Sequence, residues 1–373
     1  MLLGKFIKQA TGFKAFIPDD FPPKGLLDFS PEILAKAALA ERITGKLDGV
    51  TQTLPDADFF LAMYVAKDAA FSSQIEGTRA TLMDVLELDA GVQTKDTDAD
   101  DILFYIGALN YGIKRLKKFP LSLRFVRELH KELMTGARIS QFADPGEFRR
   151  SQNWIGGTNP DNAAFVPPPV QAMKKALNDW EKFVHRENMM PLVQAGLLHA
   201  QFETIHPFLD GNGRTGRLLI ALFLYERAVL EKPVLFLSSY FKKHQQLYYK
   251  MLNNYHNSNT DPWLLFFLDG IIETAVESID VSKKINVLRE GDMQKIQSLG
   301  KREAASGVLL LQQLFKTPIV TAATVAAHTG FSRLGAQKVI DRFVAKEILK
   351  PKDETVRYGK TYIYRKYVSL FGG

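Results

Sequence analysis

A short polar segment rich in glycine, residues 206–217, joins two apolar stretches at helical spacing, residues 191–205 and 215–225. Its sequence is HPFLDGNGRTGR. Glycine and asparagine permit the backbone conformations of a tight reversal, and the second helix presents its N-terminal amides to the loop. The segment therefore predicts two neighbouring helices with a nest for phosphate oxygens between them.

The side chains of this segment match the needs of phosphoryl or nucleotidyl transfer. His206 can accept a proton from a hydroxyl near neutral pH, and Asp210 can hold Mg²⁺. Arg214 and Arg217 can bind phosphates bidentately. Because such transfers depend on positioning and charge neutralisation, we expect a transfer site here. The alternative is a plain helix connection whose arginines face solvent.

The pattern of the whole chain predicts a mostly α fold. Further helices are expected at residues 57–76, 101–117, 122–135 and 170–185. Between the last two helices, residues 151–169 contain WIGG and PPP, and these glycines and prolines indicate a hairpin-like loop. His199 lies two helical turns before His206, where we expect a partly buried histidine bonded to backbone rather than a metal ligand.

The last part of the chain has the pattern of a winged helix. A helix at 321–328, a turn with glycine, a helix at 332–346 and an alternating strand at 361–368 follow one another. We therefore predict three regions: an N-terminal helical region at 1–100, a catalytic core at 101–285 and a winged-helix domain at 286–373.

Composition narrows the function classes. The chain of 373 residues has no cysteine, which excludes disulfides, zinc–thiolate sites, iron–sulfur clusters and cysteine nucleophiles. No N-terminal secretory signal is recognisable, and the apolar runs are too short to span a membrane. We expect a cytoplasmic enzyme with no membrane partner.

Residues 206–217 resemble the signature of the Fic (Fido) family, His-x-Phe-x-Asp/Glu-Gly-Asn-Gly-Arg-x-x-Arg, at every fixed position. The preceding FETI, the GEFR at 146–149 and the loop at 154–169 also look like the family's motifs. So does the segment 237–255 with its paired tyrosines. The resemblance implies a Fic helical core with a short β-hairpin flap, and a protein adenylyltransferase that moves AMP from ATP to a Ser, Thr or Tyr hydroxyl.

Roles for particular residues follow from this resemblance alone. His206 would be the general base, and Asp210 would bind Mg²⁺ or Mn²⁺ between the α- and β-phosphates. Asn212 with the backbone of Gly211 and Gly213 would form an anion hole. The remaining nucleotide-binding residues would be Arg214, Thr215, Gly216 and Arg217 of the motif, Ile155, Gly156, Gly157 and Thr158 of the flap, and Tyr248, Tyr249, Leu252 and His256 beside the adenosine.

A second motif, SSQIEG at residues 72–77, matches the family's inhibitory motif Ser/Thr-x-x-x-Glu-Gly/Asn. Ser72 and Glu76 share one helix face at spacing i and i+4, and Gly77 is a natural helix stop. If Glu76 pairs with Arg217, it occupies the guanidinium that the γ-phosphate needs. By composition alone, Glu76 would instead be a solvated carboxylate at a helix end.

The net charge of +7 is concentrated at the C-terminus, where residues 291–373 contain 14 Lys or Arg and six Asp or Glu. Two interpretations stay open for the winged helix: DNA contact, or protein docking with solvated charges. The DNA contacts would come from Arg333, Lys338 and Arg342 on the second helix and from Lys360, Arg365 and Lys366 on the wing.

Alternative functions also stay open. The chain could be a DNA-binding regulator that uses its core to sense nucleotide. It could remove AMP at the same site, or use UTP or a choline nucleotide as donor. The family resemblance further implies a homodimer.

Overall fold

The computed structural model describes residues 2–52, 54, 57–91, 99–136, 144–356 and 359–372. The fold is mostly helical, which confirms the predicted fold class. Its strands are β1 Gly4–Lys8, β2 Lys14–Pro18, β3 Ile319–Thr321, β4 Lys350–Pro351 and β5 Thr361–Ile363. Its helices up to the motif are α1 Pro31–Gln52, α2 Ala57–Ile75, α3 Leu82–Asp89, α4 Ala99–Leu116, α5 Leu123–Met134, α6 Val170–Val184 and α7 Pro191–Ile205. The later helices are α8 Asn212–Glu226, α9 Ser238–Lys243, α10 Gln245–His256, α11 Asp261–Gln297, α12 Lys301–Lys316, α13 Ala322–Thr329, α14 Arg333–Ala345 and α15 Arg365–Val368.

Helix α7 runs through the centre of the core and leads directly into the motif. All of its positions after Pro191 are buried. A helix buried on every side is apolar all round, which explains why its sequence shows no clear polar face. The indole nitrogens of Trp180 and Trp263 donate to the carbonyls of Leu198 and Gly196, at 2.9 Å each. These contacts fix α7 against α6 and α11, and α7 also packs along α8.

Helix α2 carries the second motif and is anchored by a buried carboxylate. Asp68 accepts hydrogen bonds from the Tyr105 hydroxyl at 2.6 Å and from the Ser238 backbone amide at 3.0 Å. Burial raises the pKa of Asp68, and these two hydrogen bonds act in the opposite direction. They join α2 to α4 and to the start of α9, so the position of Ser72, one turn further along α2, is set by the core.

The end of α2 is capped by side chains of α9 and α10. Lys242 Nζ donates to the carbonyl of Gln74 at 2.7 Å, and Gln245 Nε2 donates to that of Ile75 at 3.0 Å. Gly77 follows at a φ of 99°, which an L side chain rarely adopts. The last carbonyls of α2, which have no partner within the helix, thus accept hydrogen bonds from the two side chains. The chain leaves the helix at Glu76.

The predicted hairpin at 151–169 forms around one antiparallel bridge between Ile155 and Phe165. The β1–β2 hairpin supports its base, because the Phe16 amide donates to the Val166 carbonyl at 2.9 Å. Phe16 also packs against Phe165, with ring centroids 5.9 Å apart. The flap is therefore held by the N-terminal strands as well as by the catalytic region.

The C-terminal region contains α12, α13 and α14 beside a three-stranded antiparallel sheet in the order β3-β5-β4. Two helices are present near the predicted positions: α13 has Gly330 as its C-cap, and at the start of α14 the Ser332 hydroxyl accepts from the Gly335 amide. The predicted strand at 361–368 is wrong in its second half. Residues Arg365–Val368 form α15, because Tyr367 and Val368 turn into the core.

This change moves two residues of the expected DNA surface. Arg365 and Lys366 are exposed on α15 rather than on a wing strand. On α14, Arg342 is paired with Glu303, whereas Arg333 and Lys338 are exposed. The winged-helix assignment and its DNA-binding role stay predictions.

The predicted region boundary at 285/286 falls inside α11, which continues unbroken to Gln297. The C-terminal region also touches α2, because the rings of Tyr64 and Phe371 lie 5.2 Å apart, edge to face. Lys352 pairs with Glu87 of α3 at 2.5 Å. Contacts with the helix that carries Glu76 therefore come from both sides of that boundary.

Two helix glycines provide a matched test of this packing. A Cβ on Gly196 of α7 would lie 2.9 Å from the Phe267 ring, whereas a Cβ on Gly45 of α1 would meet nothing within 4 Å. We expect Gly196→Ala to lower the free energy of unfolding by about 1–3 kcal/mol through overpacking. Gly45→Ala should raise it by about 0.5–1 kcal/mol through helix propensity. Chemical denaturation measures both, and effects of the same sign would contradict the central placement of α7.

Candidate active site

A cavity of about 560 Å³ lies where the motif, the flap, α10 and the end of α2 meet. Its volume is in the range of small-molecule sites. It is lined by Glu76, Trp154, Ile155, Gly156, Ala164, Phe165, Glu203, His206, Leu209, Asp210, Gly211, Asn212, Gly213, Arg217, Tyr248, Tyr249, Leu252, Asn253 and His256.

The chain reverses at His206, which ends α7 in the left-handed conformation at φ 48° and ψ 62°. Arg149 stabilises the reversal: its Nε donates to the His206 carbonyl at 2.9 Å, and its Nη2 donates to the Pro168 carbonyl at 2.5 Å. Asn153 Nδ2 donates to the Phe208 carbonyl at 2.9 Å. These groups come from the GEFR segment and the flap base, so the flap and the motif loop are joined by hydrogen bonds.

The motif loop closes on itself through Asn212. Asn212 Oδ1 accepts from the Phe208 amide, and Nδ2 donates to the Phe208 carbonyl, both at 2.8 Å. Gly211 takes φ 75° as the N-cap, and α8 therefore starts at Asn212, three residues earlier than predicted. The side-chain amide of Asn212 is engaged by the loop, and its role in the anion hole stays a prediction. Backbone amides at the start of α8 remain as anion donors.

His130 is a supporting residue that the sequence analysis missed. Its Nδ1 accepts from the Gly146 amide at 2.9 Å, which leaves Nε2–H to donate to the Asp210 carbonyl at 3.0 Å. The ring stacks on Phe208 with centroids 3.7 Å apart. Burial lowers the pKa of His130 to about 4, so it stays neutral in this role. Nothing in the spacing of α5 relative to the motif indicates this contact.

The imidazole of His206 is also held neutral. Burial, with a smaller contribution from Arg149, lowers its pKa to about 4. Its Nδ1 faces Glu203, whose Oε2 lies 3.8 Å away. A neutral imidazole has a lone pair that can accept a proton, which is what a general base requires.

The pairing predicted between the two motifs is present. Arg217 Nη2 contacts Glu76 Oε1 at 2.7 Å, and Arg217 Nε donates to the Ser72 hydroxyl at 2.8 Å. Nη2 also donates to the Ser72 carbonyl at 2.9 Å. Burial lowers the pKa of Arg217, but the charge and hydrogen bond of Glu76 together with Tyr248 and Tyr105 outweigh this effect, and the net pKa is raised. The Glu76 carboxylate lies directly over Gly213, where a Cβ would clash with Oε1.

Comparisons with known proteins agree with this geometry. Residues 120–224 match the model of the Fic/DOC family, and residues 34–114 match that of the Fic/DOC family N-terminal region. These matches support membership of the Fic/DOC family.

Relatives named protein adenylyltransferase Fic occur in Drosophila virilis and Drosophila melanogaster. Each is 30% identical over 203 residues, which cover 52% of this chain and 39% and 38% of the respective relatives. The chain therefore matches about two-fifths of the length of these relatives.

Solved structures of Fic proteins share the fold. A Fic family protein from Desulfovibrio desulfuricans superposes with a TM-score of 0.58 at 18% identity, over 90% of this chain and 96% of that one. A Fic-domain signalling protein from Bacteroides thetaiotaomicron superposes with a TM-score of 0.53 at 19% identity, over 65% and 97% of the two chains. Fic-1 from C. elegans has a TM-score of 0.51 at 18% identity, over 68% and 74%.

The structure brings most of the expected Fic-site residues to the cavity, but five do not line it. Gly157 and Thr158 lie at the flap tip, where Asn162 Oδ1 accepts from the Thr158 amide at 2.9 Å. Thr215 and Gly216 face the protein interior on α8, and the Thr215 hydroxyl donates to the Gly211 carbonyl.

The fifth is Arg214, whose phosphate contact stays a prediction. Its guanidinium is buried between Asp101 and Asp210, each at 3.8 Å. Arg217 is thus the motif arginine that reaches the cavity wall.

The adenosine-side residues divide into buried and exposed groups. Tyr248 is buried, and its hydroxyl donates to His199 Nε2 at 2.8 Å, while His199 Nδ1 donates to the Gly216 carbonyl at 3.1 Å. The expectation that His199 is a backbone-bonded histidine is confirmed. His256 stacks on Phe165 with centroids 3.8 Å apart. Tyr249 is 41% exposed and reaches the cavity mouth.

No helix in the described part of the chain is long and apolar enough to cross a membrane. Within the same residues, no cluster of three or more His, Asp or Glu side chains could hold a metal ion by itself. Asp210 is a carboxylate in the cavity wall, and one such ligand completed by substrate phosphates and water is a usual arrangement for Mg²⁺.

The burial of Glu203 predicts how the stability of the protein depends on pH. Burial raises the pKa of Glu203 to about 8, from the 4.5 of a glutamate in water. Between these values the folded state binds a proton that the unfolded state has lost, so stability falls as the pH rises. Gln does not titrate, and Glu203→Gln should therefore gain stability over wild type between pH 5 and pH 8, by about 1–4 kcal/mol at 1.4 kcal/mol per pH unit. Thermal unfolding at the two pH values measures this; Glu132→Gln, on the exposed face of α5, is the control.

Proposed function

We propose that the chain is a protein adenylyltransferase that transfers AMP from ATP to a hydroxyl side chain of a target protein or of itself. The convergence of His206, Asp210, Arg217 and the N-terminus of α8 on one cavity carries this proposal. The names of the Drosophila relatives support the same reaction.

The proposed reaction is an in-line displacement at the α-phosphorus of ATP. The target oxygen forms a bond to that phosphorus, the bond to the bridging oxygen of the β-phosphate breaks, and pyrophosphate leaves. His206 accepts the proton of the target hydroxyl. The amides at the start of α8 and the guanidinium of Arg217 stabilise the negative charge of the phosphates.

The proposed adenosine subsite lies between α10 and the flap. Both ring nitrogens of His256 are buried and have no hydrogen-bond partner among the described residues, and its ring stacks on Phe165. A base entering beside Tyr249 and Leu252 would find apolar surface and unpaired polar atoms. Because the Tyr248 hydroxyl already donates to His199, Tyr248 would contribute surface rather than a donor.

The fit of Mg²⁺ or Mn²⁺ rests on Asp210. Its Oδ1 accepts from the Gly211 amide at 2.6 Å, and its carboxylate is about one-third exposed to the cavity. When bound, the ion would neutralise phosphate charge. His130 would orient Asp210 through its backbone carbonyl, and Arg214 would orient it through its carboxylate.

Glu76 would restrain this reaction. Its carboxylate occupies the side of Arg217 that a terminal phosphate would use, and it places negative charge over the amides of Gly213. The partner Arg217 is 2% exposed, so the pair is shielded from water on one side and is not a solvent-screened surface pair. ATP would therefore bind without its phosphates in the reactive position.

Removal of this carboxylate tests the proposal. Glu76→Gly should raise AMP incorporation by about 10–100-fold, the equivalent of one charge-assisted hydrogen bond of about 1.5–3 kcal/mol. Transfer of label from [α-³²P]ATP and the mass gain of one AMP measure the reaction. Glu132→Gly, at an exposed position of α5 that does not line the cavity, is the control for loss of an acidic residue.

The double variant Glu76→Gly/His206→Ala should lose the label while it still binds ATP. Equal label in wild type and Glu76→Gly would contradict the inhibitory role. Label that persists without His206 would contradict the proposed chemistry. The target protein, a homodimer and a DNA contact stay predictions.

A further inference from the structure

Glu203 lies on the last turn of α7, and its carboxyl lines the cavity next to the His206 ring. The distance from Glu203 Oε2 to His206 Nδ1 is 3.8 Å, about 1 Å longer than a hydrogen bond. Glu203 Oε1 and His206 Nδ1 are both buried, and neither has a hydrogen-bond partner among the described residues. The unpaired Nδ1 of His206 thus faces Oε2 of Glu203 across this gap, while the unpaired Oε1 lies against Gly216. A hydrogen bond between the two side chains needs the gap to close.

The surroundings hold this carboxyl in place. Gly216 of α8 gives it room, because a Cβ there would lie 2.5 Å from Glu203 Oε1. The charged and titratable groups that face it come from three further places: Arg217 on α8, Glu76 directly after α2, and Tyr248 on α10. On α7 itself, His199 and His206 lie beside it. In the adenylyl transfer proposed above, Glu203 and His199 are the two of these residues that have no assigned contact with the substrate or with Arg217.

We propose that Glu203 is the positioning residue that selects the tautomer of His206. An ionised Glu203 accepts a hydrogen bond from Nδ1–H, which leaves the lone pair on Nε2 to take the proton of the target hydroxyl. A protonated Glu203 donates to Nδ1 instead, which leaves the proton on Nε2 and removes the base. This inference rests on the proposed function, in which His206 is the general base.

The two pKa shifts support a dependence on pH that His206 alone would not show. The pKa of His206 is lowered to about 4, so its ring is neutral at all pH values from 6 to 9. The pKa of Glu203 is raised to about 8 by burial, with the charges of Arg217 and Glu76 acting in opposite directions. The transfer rate should therefore rise with pH through about 8. A lone His206 would give a rate that is constant across this range.

Kinetics in the Glu76→Gly background tests the inference. The rate constant for AMP transfer at saturating ATP should rise about tenfold from pH 6.5 to pH 9 when Glu203 is present. Adding Glu203→Gln should abolish this rise and lower the rate at pH 9 by about tenfold or more, with the KM for ATP unchanged. Adding Glu132→Gln instead should leave the profile as in the parent. A pH rise that persists in the Glu203→Gln variant would overturn the proposal.

A spectroscopic readout separates this inference from the proposed function. Long-range ¹H–¹⁵N correlation of the His206 ring, assigned with His206→Asn, should show a change from Nε2–H to Nδ1–H as the pH rises past 8. In Glu203→Gln the tautomer should not change with pH, and an identical change in both proteins would overturn the inference. If Glu76→Gly transfers no AMP at any pH, the proposed function fails, yet the tautomer still decides the role of Glu203. Glu203→Asp, which keeps an acid of shorter reach, provides a second folded variant in which the pH-linked change should survive.

Discussion

The buried guanidinium of Arg217 is the interaction on which the site's arrangement depends. A cation that is 2% exposed must have its donors satisfied, and in this structure α2 supplies the acceptors through Ser72 and Glu76. The same donors suit the oxygens of a phosphate. One residue therefore joins α2 to the wall of the cavity, and the proposed exchange of a carboxylate for a phosphate would be a change of partner at this residue.

This coupling requires α2 to be rigid. Asp68 ties the middle of the helix to α4 and α9, and Lys242 and Gln245 cap its end. The C-terminal region adds the contact between Tyr64 and Phe371. Since α2 is held at several points, the position of Glu76 depends on regions that are distant in sequence from the motif.

The motif loop is rigid for a different reason. Asn212 bonds both backbone groups of Phe208, Arg149 and Asn153 hold the carbonyls that the reversal exposes, and His130 supports Asp210. Most polar atoms of the loop thus have partners before any substrate enters. Some buried polar atoms here have no hydrogen-bond partner among the described residues, and they include Glu203 Oε1, His206 Nδ1 and Arg214 Nε.

The sequence by itself determined the helical class and the two helices around the motif, because local periodicity and glycine placement act over a few residues. It also indicated the pairing of Glu76 with Arg217 through a family resemblance. Only the tertiary structure decided that Asn212 serves the loop, that Arg214 lies behind the cavity, that His130 supports Asp210 and that Arg365 begins a helix. The first three depend on which buried polar group lies close to which other, and the last depends on the burial of Tyr367 and Val368. That is a property of the packed chain, since the partners lie on elements far apart in sequence and no local pattern encodes their distance.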